Sequence, residues 1–91
     1  MSPFEHMGDL RTRFLARAAQ DSSDIAAADA AGDIRALRSI SHGLAGAAGT
    51  FGFHELSAVA SHVERAIEGG ADLQLLRPLV ANLRATIERS R

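Results

Sequence analysis

The chain contains no cysteine and no lysine, and each absence removes a class of function. Without cysteine there can be neither disulfides nor thiolate metal sites. Without lysine there is no phosphate-binding loop of the GxxxxGK type and no amine for Schiff-base chemistry. Ten arginines stand against eleven carboxylates, which gives a net charge of −1. That balance provides no field for nucleic acid or an anionic membrane surface, so we expect neither as a partner.

Long apolar runs are absent as well. The longest weakly polar stretch, residues 43–53, is shorter than the roughly 20 residues that a membrane-spanning helix needs. The start of the chain, MSPFEHMGDL, lacks the basic region and apolar run of a secretory signal. We therefore expect a cytoplasmic protein. Its 91 residues suffice for one core, so we expect a single domain over residues 1–91.

The first half of the chain is predicted to begin with a helix. Ser2, Pro3 and Glu5 resemble a capping box. Apolar residues then keep helical spacing as far as Gly32, and these are Leu10, Phe14, Ala18, Ile25 and Ala28. The polar residues 20–24 could divide this segment, because serine and aspartate favour helix caps. One long helix and a helix preceded by a short extra N-terminal helix both fit this pattern.

Glycines and aspartates in the rest of the chain indicate helix ends and helix starts, whereas patterns typical of strands are scarce. Gly32-Asp33 combines a helix end with the next N-cap, and residues 69–72 repeat that combination. Between these signals we predict one helix from residue 34 to about 49 or 51, and another over residues 53–67. The connections are short, which makes neighbouring helices antiparallel. The sequence thus predicts an all-α, up-and-down four-helix bundle.

The last segment is also helical in its apolar spacing, but it contains a proline. Leu73, Leu76, Val80, Leu83 and Ile87 follow the helical period. Proline in a helix interior costs about 3 kcal/mol. We therefore expect either a kink at Pro78 or a short turn before a helix that begins near Arg77.

The second predicted helix carries one histidine, His42, within the stretch SHGLAGAAGTFGF. On a helical wheel of about 100° per residue, the apolar side chains form one stripe and His42 lies opposite to it. Within about 60° of His42 on this wheel lie Arg35, Arg38, Ala45, Gly46 and Gly49. His42 is therefore predicted to point outward, with arginines on one side and small residues on the other.

Four glycines, at positions 43, 46, 49 and 52, follow His42 at every third residue. The first three sweep across the outward face, because each step of three residues drifts by about −60°. Each glycine in a helix costs roughly 1 kcal/mol relative to alanine. A bare surface would let a bulky partner approach the imidazole, which would account for this cost. The alternative is that small residues let a neighbouring helix pack closely.

This stretch resembles the motif of histidine-containing phosphotransfer (HPt) domains, His-x-Leu/Ile-Lys-Gly-(five residues)-Gly. In this chain the motif reads His42-Gly43-Leu44-Ala45-Gly46, followed by five residues and Gly52. The stretches AAGDIRAL, residues 30–37, and GAAGTFGF, residues 46–53, are also similar to this family. The resemblance extends over roughly residues 8–90. It implies a four-helix bundle whose exposed histidine carries a phosphoryl group on Nε2.

The resemblance also implies partners. The phosphoryl group would come from a receiver phosphoaspartate or a histidine kinase and would pass to another receiver domain. The docking surface around His42 would comprise Arg35, Arg38, Ala45, Gly46 and Gly49. Such a module supplies the nucleophile and has no metal, cofactor or ATP site of its own, while Mg²⁺ comes with the receiver. We expect a monomeric phosphocarrier rather than an autonomous kinase.

Glu64 is the candidate partner of His42. Attack by Nε2 requires the ring proton on Nδ1, and a carboxylate acceptor would fix that tautomer. Glu64 lies about 80° from the centre of the apolar face of its helix, and it aligns with the glutamate that hydrogen-bonds the active histidine in chemotaxis-kinase phosphotransfer domains. Glu68, one turn later, is the rival. A solvated surface position is the alternative role for Glu64.

The chain departs from the family at Ala45, where the motif has lysine. A lysine there would lean back toward His42 and help to neutralise phosphoryl oxygens. Arg38 leans away from His42 and would be an imperfect substitute. Two other functions therefore stay open. One is an HPt-like bundle that binds a kinase or receiver without carrying phosphate, and the other is a bundle that dimerises through its alanine-rich surface.

Overall fold

The computed structural model describes the backbone of residues 3–91 and the side chains of residues 8–91. It contains four α-helices: α1 Pro3–Ala31, α2 Ile34–Thr50, α3 His54–Glu68 and α4 Leu73–Ser90. Successive helices pack side by side and α1 closes the ring against α4, while residues 3–91 include no strand. The prediction of an all-α, up-and-down four-helix bundle is confirmed. The predicted capping box depends on the side chains of Ser2 and Glu5, which lie outside the described residues.

α1 is one continuous helix of 29 residues, so residues 20–24 do not interrupt it. Gln20 Nε2 donates to Asp24 Oδ1 at 3.1 Å, one turn later on the same helix. Ser22 is buried, and its Oγ accepts from Arg84 Nε of α4 at 3.2 Å. Side chains with such partners do not compete for the backbone as caps would. The alternative with a short extra N-terminal helix is therefore wrong for this chain.

Two aspartates cap the following helices, as predicted. Asp33 Oδ1 accepts the Ala36 N–H at 3.0 Å, and Asp72 Oδ1 accepts the Leu75 N–H at 3.0 Å. A cap of this kind contributes about 1 kcal/mol. Gly32 precedes the first cap with φ of 68°, a left-handed conformation that glycine adopts without strain. The turn between α1 and α2 is thus specified by adjacent residues.

α4 begins at Leu73 and continues through Pro78. The predicted helix start near Arg77 is therefore wrong, because the Asp72 cap starts the helix before the proline is reached. Pro78 lacks an N–H and leaves the Gln74 carbonyl without its intrahelical donor. The kink at Pro78 stays a prediction.

The core is formed by apolar side chains from all four helices, and the helical spacing identified most of them. Phe14 joins α1 to the turn between α2 and α3, with its ring centroid 5.7 Å from that of Phe51 and 5.2 Å from that of Phe53. Leu10 is 41% exposed although it shares the apolar spacing of α1. α1 is longer than α2, and its N-terminal turns extend past the point where Phe14 meets the end of α2. The buried apolar residues are Phe14, Ala18, Ile25, Ala28, Leu37, Leu44, Ala45, Ala48, Leu56, Ala60, Val63, Leu76, Val80, Leu83 and Ile87.

The bundle is elongated, with principal extents of 48 × 21 × 19 Å. None of the helices in the described part of the chain is long and apolar enough to cross a bilayer.

Candidate functional site

His42 projects from the middle of α2, on the face that points away from the core. Its side chain is 75% exposed. Its neighbours Ser41 and Leu44 are buried, at 0% and 1% exposed. α2 therefore buries one face and presents the imidazole on the other, where the wheel placed it.

The carboxylate of Glu64 on α3 contacts this imidazole directly. Nδ1 of His42 lies 2.6 Å from Oε2 of Glu64. The Glu64 side chain is only 16% exposed, so the protein holds the carboxylate in place at the edge of the core. An ionised carboxylate can accept a hydrogen bond but not donate one, so this contact places the ring proton on Nδ1. Nε2 then keeps its lone pair on an exposed ring.

The structure pairs Glu68 with Arg38 rather than with His42. Arg38 Nη2 lies 3.0 Å from Glu68 Oε1, and the two side chains are 54% and 47% exposed. This ion pair and the His42–Glu64 contact join the antiparallel helices α2 and α3 one turn apart. An exposed pair of this kind contributes about 0–1 kcal/mol to stability. Its main effect is to hold the Arg38 guanidinium against α3.

Ala45 is buried, with 8% of its surface exposed, so its predicted place on the exposed docking surface is wrong. Its carbonyl accepts the Ser57 hydroxyl of α3 at 2.8 Å. α2 packs against α1 on one flank and α3 on the other, and its buried arc is wider than its apolar stripe. The position that holds lysine in the motif therefore lies at the boundary between two helices.

The glycines on the exposed face of α2 have different surroundings. A Cβ on Gly46 would meet nothing within 4 Å, so the surface there is open. A Cβ on Gly49 would lie 3.3 Å from Ser57 Oγ, which makes this glycine part of the close packing of α2 on α3. A Cβ on Gly43 would lie 4.0 Å from Nη2 of Arg17, a residue of α1. Gly46 therefore fits the interpretation that the glycines leave room for a partner. Gly49 fits the interpretation that they let a neighbouring helix pack closely.

Arg35 stays on the exposed surface, as the wheel placed it. It lines a shallow open groove along the N-terminal half of α2, together with Ser39 and His42. No ion pair to Arg35 occurs among the described residues. Arg35 thus adds positive charge to the exposed face, two turns before the histidine.

Sequence reasoning missed Arg17. Its guanidinium reaches α2 only because α1 packs there, and no local pattern encodes that contact. Burial raises the pKa of the nearby Asp21 carboxyl, the Arg17 charge lowers it, and Asp24 raises it further. Within the part of the chain that the structure describes, no three His, Cys, Asp or Glu side chains are grouped to hold a metal ion.

The motif, the four-helix bundle and the geometry around His42 agree with one comparison. A family model described as Hpt domain matches residues 9–91, nearly the whole chain. The chain belongs to the Hpt domain family. No curated protein and no solved structure gives a significant match. The resemblance noted from the motif is confirmed, and membership points to histidine phosphotransfer in a phosphorelay.

Hpt domains in general interact with receiver domains and histidine kinases. In this Hpt domain the histidine of the motif is His42, whose side chain is 75% exposed and contacts the Glu64 carboxylate. The lysine of the motif is replaced by the buried Ala45.

Proposed function

We propose that His42 carries a phosphoryl group on Nε2 between a receiver aspartate, or a histidine kinase, and a second receiver domain. The contact of 2.6 Å between His42 Nδ1 and Glu64 Oε2, made by an otherwise exposed ring, is the main support for this proposal. It selects Nε2 as the nucleophilic nitrogen. Exposure of the ring lets an aspartyl phosphate on a partner approach that nitrogen in line.

During transfer the Nδ1 proton stays on His42, and the Glu64 carboxylate stays ionised. The Nε2 lone pair attacks the phosphorus of an aspartyl phosphate, and the P–O bond breaks with its electrons going to the aspartate carboxylate. The ring becomes a phosphoimidazolium that keeps its Nδ1 proton, and the Glu64 carboxylate balances the new positive charge. In the onward step the P–N electrons return to Nε2, so His42 is neutral again with the proton still on Nδ1.

The domain provides a nucleophile, its orienting carboxylate and a surface for the partner. Phosphoryl transfer depends mainly on in-line positioning and charge neutralisation. We propose that Mg²⁺ and the acidic pocket that binds it belong to the receiver. The exposed face with Arg35 and Gly46 would lie against that receiver during transfer.

A second candidate is an Hpt bundle that binds a kinase or receiver without carrying phosphate. The observation that favours it is the buried Ala45 in the lysine position, combined with an Arg38 side chain that Glu68 already binds. Both reduce the positive charge available to a phosphoryl group on His42.

A labelled receiver separates the two candidates. A receiver carrying ³²P would be incubated with the wild-type domain, with His42→Gln and with His62→Gln, which alters another exposed histidine. We expect acid-labile label on the wild type and on His62→Gln, and none on His42→Gln. A wild-type domain that binds the receiver but takes no label would overturn the carrier role and support the second candidate.

Light scattering after gel filtration tests the oligomeric state. A monomer has a mass of 9.6 kDa. A measured mass near twice that value would favour the dimerising bundle.

A further inference from the structure

A phosphoryl group on His42 would need more positive charge beside it than Arg35 and Arg38 of α2 supply. The group carries close to two negative charges, and the Glu64 carboxylate of α3 already lies 2.6 Å from Nδ1 of the same ring. Arg38 is held by Glu68 at 3.0 Å. The side chain of Arg35 starts two turns earlier and leans toward the N-terminus of α2, away from His42. Ala45 contributes no charge.

Arg17 of α1 approaches this site from the opposite side. Its Nη2 lies 4.0 Å from the position that a Cβ would occupy on Gly43, the residue after His42. Arg17 is exposed, and no carboxylate among the described residues forms an ion pair with it. Burial raises the pKa of the Asp21 carboxyl, and the Arg17 charge lowers it by Coulombic attraction, without an ion-pair contact between the two side chains. Among the described residues, the guanidinium is therefore a cation at the edge of the site that forms no ion pair.

Two glycines lie on the flank of α2 between Arg17 and His42. On the wheel, Gly43 and Gly46 lie at roughly 100° and 40° from His42, on the flank of α2 that faces α1. Neither has a Cβ, and a Cβ on Gly46 would meet nothing within 4 Å. At these two positions α2 therefore presents no side chain to the long Arg17 side chain. The glycines thus open a path for a side chain of this same molecule, in addition to room for a partner.

We propose that Arg17 supplies from α1 the positive charge that the motif normally places at position 45, and that its guanidinium pairs with the phosphoryl oxygens on Nε2. This inference rests on the proposed function. Guanidinium suits the task because its planar N–H groups match two phosphate oxygens at once. Glu64 holds the ring from α3 while Arg17 neutralises the phosphoryl group from α1. The two charged side chains thus reach the phosphorylated His42 of α2 from the two helices that flank it, α3 and α1.

The first test uses a donor that needs no protein partner. Each protein would be phosphorylated with phosphoramidate, and the phosphohistidine would be titrated by ³¹P NMR. Arg17→Gln should raise the pH of the second phosphoryl ionisation by about half a unit, because loss of a nearby cation disfavours the dianion. Arg17→Lys should restore most of the wild-type value. Arg13→Gln, one turn earlier on α1 and also exposed, is the matched control and should titrate like the wild type.

The second test measures transfer from a phosphorylated receiver, where Arg17→Gln should be about three- to tenfold slower and Arg13→Gln unchanged. If the wild type takes phosphate on His42 from neither donor, the proposed function itself fails. If the wild type is loaded and Arg17→Gln matches it in titration and rate, only the assignment of Arg17 fails. Slower transfer with an unchanged titration also overturns the assignment, because the effect would then arise in receiver binding.

Discussion

Replacing Glu64 with glutamine tests the central contact of the site with little change of shape. The wild-type carboxylate can only accept a hydrogen bond, and it lies 2.6 Å from Nδ1 of His42. The amide of Glu64→Gln can accept from a protonated Nδ1 or donate to an unprotonated one. Both ring tautomers are then allowed. The variant also lacks the negative charge that balances the phosphoimidazolium.

The expected effect on transfer follows from the energy of this hydrogen bond. A hydrogen bond to a charged group contributes about 1.5–3 kcal/mol. The His42 side chain is 75% exposed, so water screens part of the interaction and the lower end applies. A loss of about 1.5–2 kcal/mol from the transition state slows a reaction roughly 13- to 30-fold. We expect a decrease of that size in single-turnover transfer from a phosphorylated receiver.

A structural readout accompanies the kinetics. Long-range ¹H–¹⁵N correlation spectra of the His42 ring should show the Nδ1–H tautomer in the wild type and a mixture in Glu64→Gln. Glu68→Gln is the matched control, since Glu68 binds Arg38, and its rate should stay within about twofold of the wild type. Unchanged transfer and an unchanged tautomer in Glu64→Gln would refute the role of the carboxylate.

Further predictions concern three other positions. Gly46→Ala should raise the free energy of unfolding by about 1 kcal/mol in chemical denaturation, because a Cβ there meets nothing within 4 Å. A free energy of unfolding below that of the wild type would contradict the open environment. Gly46→Trp should slow transfer from a receiver about tenfold or more while loading by phosphoramidate is unchanged; equal transfer would exclude the interpretation that the glycines leave room for a partner. Ala45→Lys should speed transfer or slow phosphohistidine hydrolysis, at a cost in stability because Ala45 is buried; unchanged kinetics would remove the argument for a lysine. Burial raises the pKa of Asp21, so the folded state binds its proton more tightly than the unfolded chain does, and ionisation destabilises the fold. Asp21→Asn should therefore be more stable than the wild type at pH 7, and this advantage should shrink as the pH falls toward 3.8; an advantage that grew at low pH would contradict the direction of the shift.

The helices could largely be predicted from the sequence, because most of their ends depend on adjacent residues. Asp33 and Asp72 accept backbone N–H groups three residues away, a distance that a sequence pattern can show. The continuity of α1 could not be predicted in this way. It depends on Ser22, whose partner Arg84 lies 62 positions away. Pro78 misled the prediction for α4 because an earlier cap outweighed the local rule.

The site was predictable where one face of one helix determined the outcome. The wheel oriented His42 correctly, and the resemblance to chemotaxis-kinase phosphotransfer domains indicated Glu64 on the next helix, with Glu68 as the rival. Ala45 was misplaced because alanine carries little hydrophobic signal, and its burial is decided by the second neighbouring helix. Arg17 could not be found at all, because its contact with α2 depends on the packing of α1.

The short turn at residues 51–53 sets the register in which α2 and α3 face each other. Gly52 takes φ of 82° there, and the Phe53 N–H donates to the Ala48 carbonyl at 2.8 Å, which fixes where α3 starts. A slide of α3 by one turn, about 5.4 Å, would bring either Glu68 or the uncharged Ala60 opposite His42. An insertion or deletion in this loop would therefore change the reactivity of an imidazole about ten residues away while leaving residues 42–46 in place.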